Sequence, residues 1–355
     1  MIHFGLAYQL QQKLDDSFFA MIDTPNNPKK MFLSQKIVNF EKTWFFHDHI
    51  KKSIEKPDLE YLANFEKKYH INLWKLAINE RHFYKFNRFY KFTTNEILKF
   101  LEQECKLFEY ILDEIKPDYF LTNEPSFHHQ KLMMELCKAK GIKVLCLTMS
   151  RFEGSSIIVE NNVTFDLPPN LDLVELNEFK VEHKKNNFNK SNIKWANNRK
   201  YSALDKLKAL KDYILFSDSK NVESNFTYYG RKKHSVIFDI LSFYIKRQKR
   251  YRYLENNSMK VVDLSVPFAY FPLGIDDDSN LLHYAPLFTN QIEVIRHIAK
   301  SLPIDHRLFV KDHIHSVFRG WKDIKQYKEI KNIPNVTLIH PSYSSKELIK
   351  NSNIV

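Results

Sequence analysis

The stretch from Thr93 to residue 148 restricts the fold more than any other part of the sequence. Thr93 and Glu96 have the spacing of a helix capping box, and apolar residues then recur at intervals of three and four, as on one face of a long helix. Pro117 ends this helix. The segment that follows is predicted to form a strand at 118–122, a helix at 128–139 and a strand at 142–148, which is the β-α-β unit of parallel sheets.

Strands and helices alternate again near the end of the chain, so the predicted fold class is α/β with two domains. The first domain covers residues 1–165, a linker and basic helical segment covers 166–255, and the second domain covers 256–355. The pattern stops where a strand begins near Ile354, and we therefore expect the second domain to be incomplete. The strands predicted in it are 268–273, 307–310 and 336–339, and its helices are 290–301, 321–330 and 344–350.

Composition excludes several classes of protein. Only 6 glycines occur, far apart, which excludes a P-loop and the dinucleotide-binding fingerprint because both need clustered glycines. The net charge of +12 favours an anionic partner, but it is spread along the chain, so nucleic acid is the weaker interpretation. The 3 cysteines form no C-x-x-C pair and indicate reduced core residues of a cytoplasmic protein. No apolar run approaches the roughly 20 residues that cross a bilayer.

A cluster of basic side chains follows the strand predicted at 307–310. Lys311, His313 and Arg319 lie there, at the strand end where open α/β sheets bind their ligands. Such side chains can neutralise a phosphate through charge-assisted hydrogen bonds, although an ordinary polar loop has the same composition. A metal bound by His313 and His315 is disfavoured, because the neighbouring sequence supplies no further ligand.

Acidic residues follow the strand predicted at 268–273 in the same way. Asp276, Asp277 and Asp278 precede Ser279. Carboxylates at a strand end can serve as a general base, hold a cation or bind a sugar hydroxyl. A solvated turn explains the same spacing, and spacing alone favours that explanation.

The polar loop after the first domain's central strand holds a third set of candidates. Glu124 is a candidate general base, with His128 as the alternative. Ser126 can equally cap the helix that follows.

Residues 58–92 form an aromatic-rich segment that we predict to be helical. Basic residues alternate with aromatic ones at 83–92, which is also the composition of a surface that binds single-stranded nucleic acid. At helical spacing, a packed core with long basic side chains reaching to solvent is the favoured interpretation.

Short segments in a fixed order carry a resemblance to a known family. They begin at His3, Trp44, Lys116 and Gly141 in the first half, and at Phe268, Tyr284, Gln291, Ala299, Leu308, Pro334 and Leu338 in the second. The series resembles the bacterial capsule and surface polysaccharide biosynthesis proteins, which are glycosyltransferases of the GT-B class. The family's Lys-Glu-His-Pro motif stands here as Lys311-Asp312-His313-Ile314, with the lysine and the histidine retained.

The resemblance implies two Rossmann-like domains that face each other across a cleft, with the acceptor against the first and a nucleotide-sugar donor against the second. It implies transfer of a sugar to a glycan or lipid-linked acceptor, with no metal and no cofactor. The basic surface adds an expectation of peripheral contact with the inner, anionic face of the membrane. A nucleotide-sugar epimerase of the same layout and a non-catalytic binding or scaffold protein remain alternatives.

The candidate residues take three roles under this resemblance. The catalytic candidates are Glu124, Asp276, Asp277, Asp278 and His313. The expected contacts of the donor phosphate are Lys311, His313, Arg319 and Ser279. The expected acceptor-side residues are His3, Ser126, His128 and Arg151.

Overall fold

The computed structural model describes residues 2–24, 26–149, 156–160, 203–216 and 225–355. The chain divides into two compact units that alternate along the sequence. Unit 1 comprises Met1–Leu73 with Phe92–Gly230, and unit 2 comprises Trp74–Lys91 with Arg231–Val355. Arg151 and residues 166–200 of the predicted linker segment lie outside the described residues.

The fold is mixed α/β, as the alternating pattern predicts, while two Rossmann-like domains stay a prediction. Within the described ranges, no helix has both the length and the apolar character that a membrane crossing needs. The helices are α1 (Ile2–Gln11), α2 (Asn26–Ser34), α3 (Phe46–His49), α4 (Leu59–Tyr69), α5 (Leu73–Ile78), α6 (Thr94–Ile115), α7 (His128–Ala139), α8 (Ala203–Phe216), α9 (Lys233–Asn257), α10 (Gln291–Ser301), α11 (Ile324–Lys331) and α12 (Ser345–Asn351).

Two small sheets, mostly parallel, belong to unit 1. The first pairs β1 (Phe19–Ile22) in parallel with β2 (Lys42–Phe45). The second pairs β3 (Tyr119–Asn123) in parallel with β4 (Lys143–Met149), and β5 (Ser156–Val159) is antiparallel to β4. The predicted β-α-β unit is confirmed, because α7 connects the two parallel strands β3 and β4.

The long helix α6 begins and is packed as its sequence predicts. The Thr93 hydroxyl accepts the backbone N–H of Glu96, and the Glu96 side chain accepts the backbone N–H of Thr93, which is the capping box. The apolar face of the helix, with Leu101 and Phe108, is fully buried. Glu104 is also fully buried on this face, so one carboxylate stands inside the apolar core of unit 1.

Unit 2 is built on a single parallel sheet in which β7 is the middle strand. Alternate side chains of β7 enter two separate apolar clusters, Leu308 and Val310 on one face and Phe309 on the other. Burial of both faces is typical of a parallel sheet covered by helices. The strands are β6 (Phe268–Leu273), β7 (Arg307–Asp312) and β8 (Val336–Ile339).

The last residues pair with the outer edge of β6. Ile354 forms a parallel bridge with Ala269, and its carbonyl accepts the backbone N–H of Tyr270 at 2.8 Å. The backbone N–H of Asn353 donates to the carbonyl of Phe268 at 2.9 Å. The strand start predicted near Ile354 is therefore present as a single bridge.

The prediction of one helical segment over residues 58–92 is wrong in its second half. Helices α4 and α5 cover the first half, and turns follow from residue 79. The Asn87 side chain accounts for the turn around it, since its Nδ2 donates to the carbonyl of His82 at 2.9 Å and its Oδ1 accepts the backbone N–H of Phe89 at 3.0 Å. Such side-chain bonds offer the backbone an alternative to helical hydrogen bonds.

We expect Thr93→Ala to destabilise unit 1 by about 1 kcal/mol, because the substitution removes the side-chain half of the capping box. The measurement is urea unfolding followed by circular dichroism. Thr94→Ala is the matched control, since Thr94 is exposed and lies one residue inside the helix. Equal stabilities for the two variants would contradict the capping role of Thr93.

Candidate functional site

The carboxyl ends of β6 and β7 lie side by side, with Leu273 opposite Asp312 in the parallel register. The loops that follow these strands therefore start from one edge of the sheet. Residues 276–279 lie in the first loop, and His313 and Arg319 lie in the second. Two sets of candidate residues that the sequence separates are thus brought to the same edge, which we call the unit 2 edge.

Opposite charges from the two loops meet at this edge. Nη1 of Arg319 lies 3.3 Å from Oδ2 of Asp277. The Arg319 side chain is 56% exposed, so water weakens this ion pair and the guanidinium can exchange Asp277 for another anion.

The His313 ring is held neutral more strongly than a free imidazole. Although His313 is partly exposed, desolvation of its ring is the main cause of the lowered pKa, and His315 and Lys311 lower it further. The carboxylates of Asp312 and Asp278 act in the opposite direction. The ring Nδ1 accepts the backbone N–H of His315 at 3.2 Å, which leaves Nε2 as the atom that carries the proton of the neutral ring.

The fully buried Asp312 organises the loop that carries His313. Its carboxylate accepts the backbone N–H of His313 at 2.8 Å, the hydroxyl of Ser316 at 2.7 Å and the hydroxyl of Tyr327. Burial raises the pKa of Asp312 and also that of Tyr327. The three bonds fix the direction in which the loop leaves β7.

Lys311 is buried, and it faces backbone carbonyls within unit 2. Its Nζ donates to the carbonyl oxygens of Pro341 at 3.3 Å and Tyr343 at 3.2 Å, and burial lowers its pKa. Alternation along β7 explains this placement, because Lys311 shares the face of Phe309, where Tyr343 packs on the apolar cluster. The expected phosphate ligand is thus bound to the loop that follows β8.

Asp276 is engaged by two residues that the sequence did not single out. Its Oδ1 lies 2.6 Å from Nζ of Lys322 and accepts from Nε2 of Gln291 at 2.6 Å. The same two donors also reach the carbonyl of Gly274, at 3.0 and 3.1 Å. Asp276 is therefore a structural anchor of its loop, whereas Asp277 pairs with Arg319 and Asp278 acts on the pKa of His313.

The candidates on the acceptor side are divided between loop and interior. Glu124 and Ser126 are partly exposed in the loop after β3, where the Ser126 backbone N–H donates to the Gln130 side chain at 2.9 Å. His3 has its pKa lowered by burial, against a hydrogen bond to the backbone of Thr122 that raises it. Glu124 is therefore the most accessible of the predicted acid or base groups in unit 1.

The expectation that His128 faces an acceptor is not met in this structure. The side chain is fully buried, and its Nε2 lies 3.0 Å from both carboxylate oxygens of Glu104. The first turn of α7 directs His128 towards the buried face of α6 and away from solvent. Sequence reasoning missed Glu104, although a glutamate among the apolar positions of a long helix indicates a buried carboxylate that needs a polar partner.

A second carboxylate links two further histidines of unit 1. Oδ1 of Asp23 lies 2.8 Å from Nε2 of His47, and Oδ2 lies 2.8 Å from Nε2 of His129. Burial acts to raise the pKa of Asp23, but the hydrogen bonds from His129 and His47 outweigh it and hold the pKa far below its usual range. Asp23, His47 and His129 follow β1, β2 and β3 respectively, so three strand ends converge here.

Aromatic rings fix the orientation of His129. The parallel ring of Phe46 lies 4.2 Å from it between centroids, and that of Phe127 lies 5.6 Å from it. Phe226 meets His129 edge-on at 6.4 Å. We call this arrangement the histidine cluster, whose polar members are Asp23, His47, Glu104, His128 and His129.

The two strand-end clusters differ in character, since one is partly exposed and combines acidic and basic side chains, and the other is mostly buried and rich in histidine. Comparison of the chain with protein-family models, with curated proteins and with solved structures finds no match. Function is therefore inferred from the chemistry of these two clusters.

We expect Lys322→Met to lower the free energy of unfolding of unit 2 by about 2 kcal/mol. The change leaves the Asp276 carboxylate without its cation, and a fully buried pair broken in this way loses about 3–5 kcal/mol. The smaller figure reflects the 22% exposure of Asp276. Urea unfolding provides the measurement.

Lys325→Met is the control for this experiment, because Lys325 is exposed three residues further along the chain. Adding Asp276→Asn to Lys322→Met removes the unpaired charge and is expected to restore part of the loss. If Lys322→Met and Lys325→Met proved equally stable, the anchoring role of the ion pair would be refuted.

Proposed function

We propose that this chain is a glycosyltransferase of capsule or surface polysaccharide synthesis, which transfers a sugar from a nucleotide-sugar donor to a glycan or lipid-linked acceptor. The observation that carries the proposal is the unit 2 edge. There, His313 and Arg319 stand beside Asp277 and Asp278 at the carboxyl ends of parallel strands. That edge is where open α/β sheets bind nucleotide ligands.

The chemistry of sugar transfer explains why basic residues are needed there. The acceptor oxygen forms a bond to the anomeric carbon, and the bond from that carbon to the donor phosphate breaks, with its electron pair going to the phosphate oxygen. Negative charge therefore grows on the departing phosphate. Arg319, released from Asp277, and the Nε2–H of His313 stabilise this charge by hydrogen bonding. The Ser279 hydroxyl, which donates to Asp278 at 3.3 Å, is a further donor once it turns from that carboxylate to the phosphate.

The geometry refines the role of Lys311 in this proposal. Its ammonium donates to the carbonyls of Pro341 and Tyr343, so it positions the loop after β8 beside the edge and leaves direct phosphate contact to His313 and Arg319. This arrangement keeps a positive charge near the donor without exposing it to solvent.

A carboxylate must take the proton that the acceptor hydroxyl loses. Asp276 is bound to Lys322, and Asp277 is paired with Arg319. We propose Glu124 and Asp278, two of the candidates predicted from the sequence, for this step. The Asp278 carboxylate accepts the Ser279 hydroxyl at 3.3 Å and acts on the pKa of His313.

We expect His313→Ala to lower turnover by about 10²–10³-fold, the usual effect of removing one preorganised donor to a developing anion. The assay follows a panel of radiolabelled nucleotide-sugars with and without a lipid-linked glycan acceptor. His297→Ala is the matched control, because His297 is exposed on α10.

Consumption of the donor only when the acceptor is present supports transfer. Conversion of the donor without an acceptor identifies an epimerase, and no conversion of any donor identifies a binding protein. Unchanged turnover in His313→Ala would remove His313 from the mechanism.

We also expect binding of UDP to strengthen as the pH falls from 8 towards 5. His313 has a lowered pKa and is mostly neutral at pH 7, and a bound phosphate raises that pKa, so binding takes up a proton. The groups that set this pKa are His315, Lys311, Asp312 and Asp278. Calorimetry between pH 5 and pH 8 measures the effect.

His313→Gln is expected to flatten this pH profile. Arg319→Gln is expected to weaken binding by the same factor at every pH tested, because the charge of the arginine that it removes does not change between pH 5 and pH 8. A profile for His313→Gln as steep as that of the unaltered protein would assign the proton uptake to another group.

A further inference from the structure

The histidine cluster of unit 1 contains more metal-binding chemistry than the proposed sugar transfer uses. From its geometry we infer that Glu104, His128 and His129 bind a divalent transition metal ion, with zinc as the best-matched ion. The inference stands independently of the proposed function, because it concerns other residues.

The donor atoms of these three side chains are already gathered. One ligand atom from each lies within 4.8 Å of the other two. Nε2 of His128 is 3.0 Å from both oxygens of Glu104. Zinc bonds of about 2.0–2.2 Å to nitrogen and oxygen keep neighbouring ligands about 3.3 Å apart, so His128 and Glu104 already have the required spacing.

His129 has the hydrogen-bonding pattern of a metal ligand. One ring nitrogen, Nε2, meets the carboxylate of Asp23 at 2.8 Å, while Nδ1 is buried and has no hydrogen-bond partner among the described residues. Histidines that bind metals commonly present one nitrogen to a carboxylate and the other to the ion. A metal at Nδ1 satisfies the buried atom and leaves the bond to Asp23 intact.

The surroundings favour a metal ion on energetic grounds. Glu104 and His128 are fully buried and His129 is 1% exposed, so their polar groups have lost nearly all contact with water. The rings of Phe46 and Phe127 hold the His129 plane in place. A divalent cation compensates the desolvated carboxylate, and the rigid rings reduce the entropy lost on binding.

The ligand set selects the class of metal. Two imidazoles with one carboxylate suit zinc and its transition-metal neighbours, whereas magnesium and calcium prefer oxygen ligands only. Three protein ligands leave a fourth position for water. Asp23 and His47 are the partly exposed members of the cluster, at 26% and 11%, and they mark the side from which an ion enters.

The test measures zinc in the full chain after removal of metals with a chelator and dialysis against zinc sulfate. We expect elemental mass spectrometry to find about one zinc ion per chain. We also expect the melting temperature to rise by about 5–10 °C when the free zinc concentration is a hundred times Kd. Glu104→Gln and His129→Gln should each lose the bound zinc. His297→Gln, at an exposed histidine of α10, should retain it.

Cobalt replaces zinc in a second measurement that does not depend on the folding of variants. In the unaltered protein we expect the visible absorption of a four- or five-coordinate ion without a thiolate charge-transfer band. The spectrum of hexaaqua cobalt, or a thiolate band from the buried Cys105, would overturn the inference.

Zinc measurements on the variants provide the remaining outcomes. Absence of zinc from the unaltered protein would overturn the site, as would full retention in Glu104→Gln and His129→Gln. Loss of zinc in His315→Gln with retention in Glu104→Gln would assign the ion to the exposed His313 and His315 pair of unit 2. The inference is supported if the melting temperature rises with bound zinc and the same variants that lose zinc also lose the cobalt spectrum.

Discussion

The buried carboxylate of Asp312 is the constraint on which the unit 2 edge depends. It ends β7 and accepts three hydrogen bonds, from the His313 backbone, the Ser316 hydroxyl and the Tyr327 hydroxyl. A buried carboxylate that lacks such partners is strongly destabilising, so the loop must follow the path that supplies them. Tyr327 lies on α11, and the same group therefore connects the loop to the helix behind the sheet.

The two units use strand ends in different ways. At the unit 2 edge the Arg319 side chain is 56% exposed and that of its partner Asp277 is 23% exposed, so an incoming anion can replace Asp277 at modest cost. In the histidine cluster Asp23 holds His47 and His129 at 2.8 Å each among packed aromatic rings. The first arrangement suits a ligand that binds and leaves, and the second suits a permanent, preorganised contact.

Local signals in the sequence predict the mixed α/β character and several individual helices and strands, and long-range partners explain where prediction fails. The capping box of Thr93 and the strand-helix-strand order need only neighbouring residues, and both are found. The turn at 79–93 depends on Asn87, a side-chain effect that periodicity does not register. The sequence predicts that Lys311 contacts the donor phosphate, but its hydrogen-bond partners are backbone carbonyls 30 and 32 residues further along the chain. Asp23 and His129 likewise interact although 106 residues separate them in the sequence.

The buried carboxylate of Glu104 is not explained by its contribution to fold stability. It occupies an apolar-face position of α6, where a hydrophobic residue of similar size avoids the cost of desolvating a carboxylate and often leaves a protein equally or more stable. Its pairing with His128 compensates that cost and offers no gain over such a residue. Since His129 adds a buried ring nitrogen without a partner among the described residues, fold stability alone does not explain this group of side chains. A positive ion between the carboxylate and the two imidazoles does explain it.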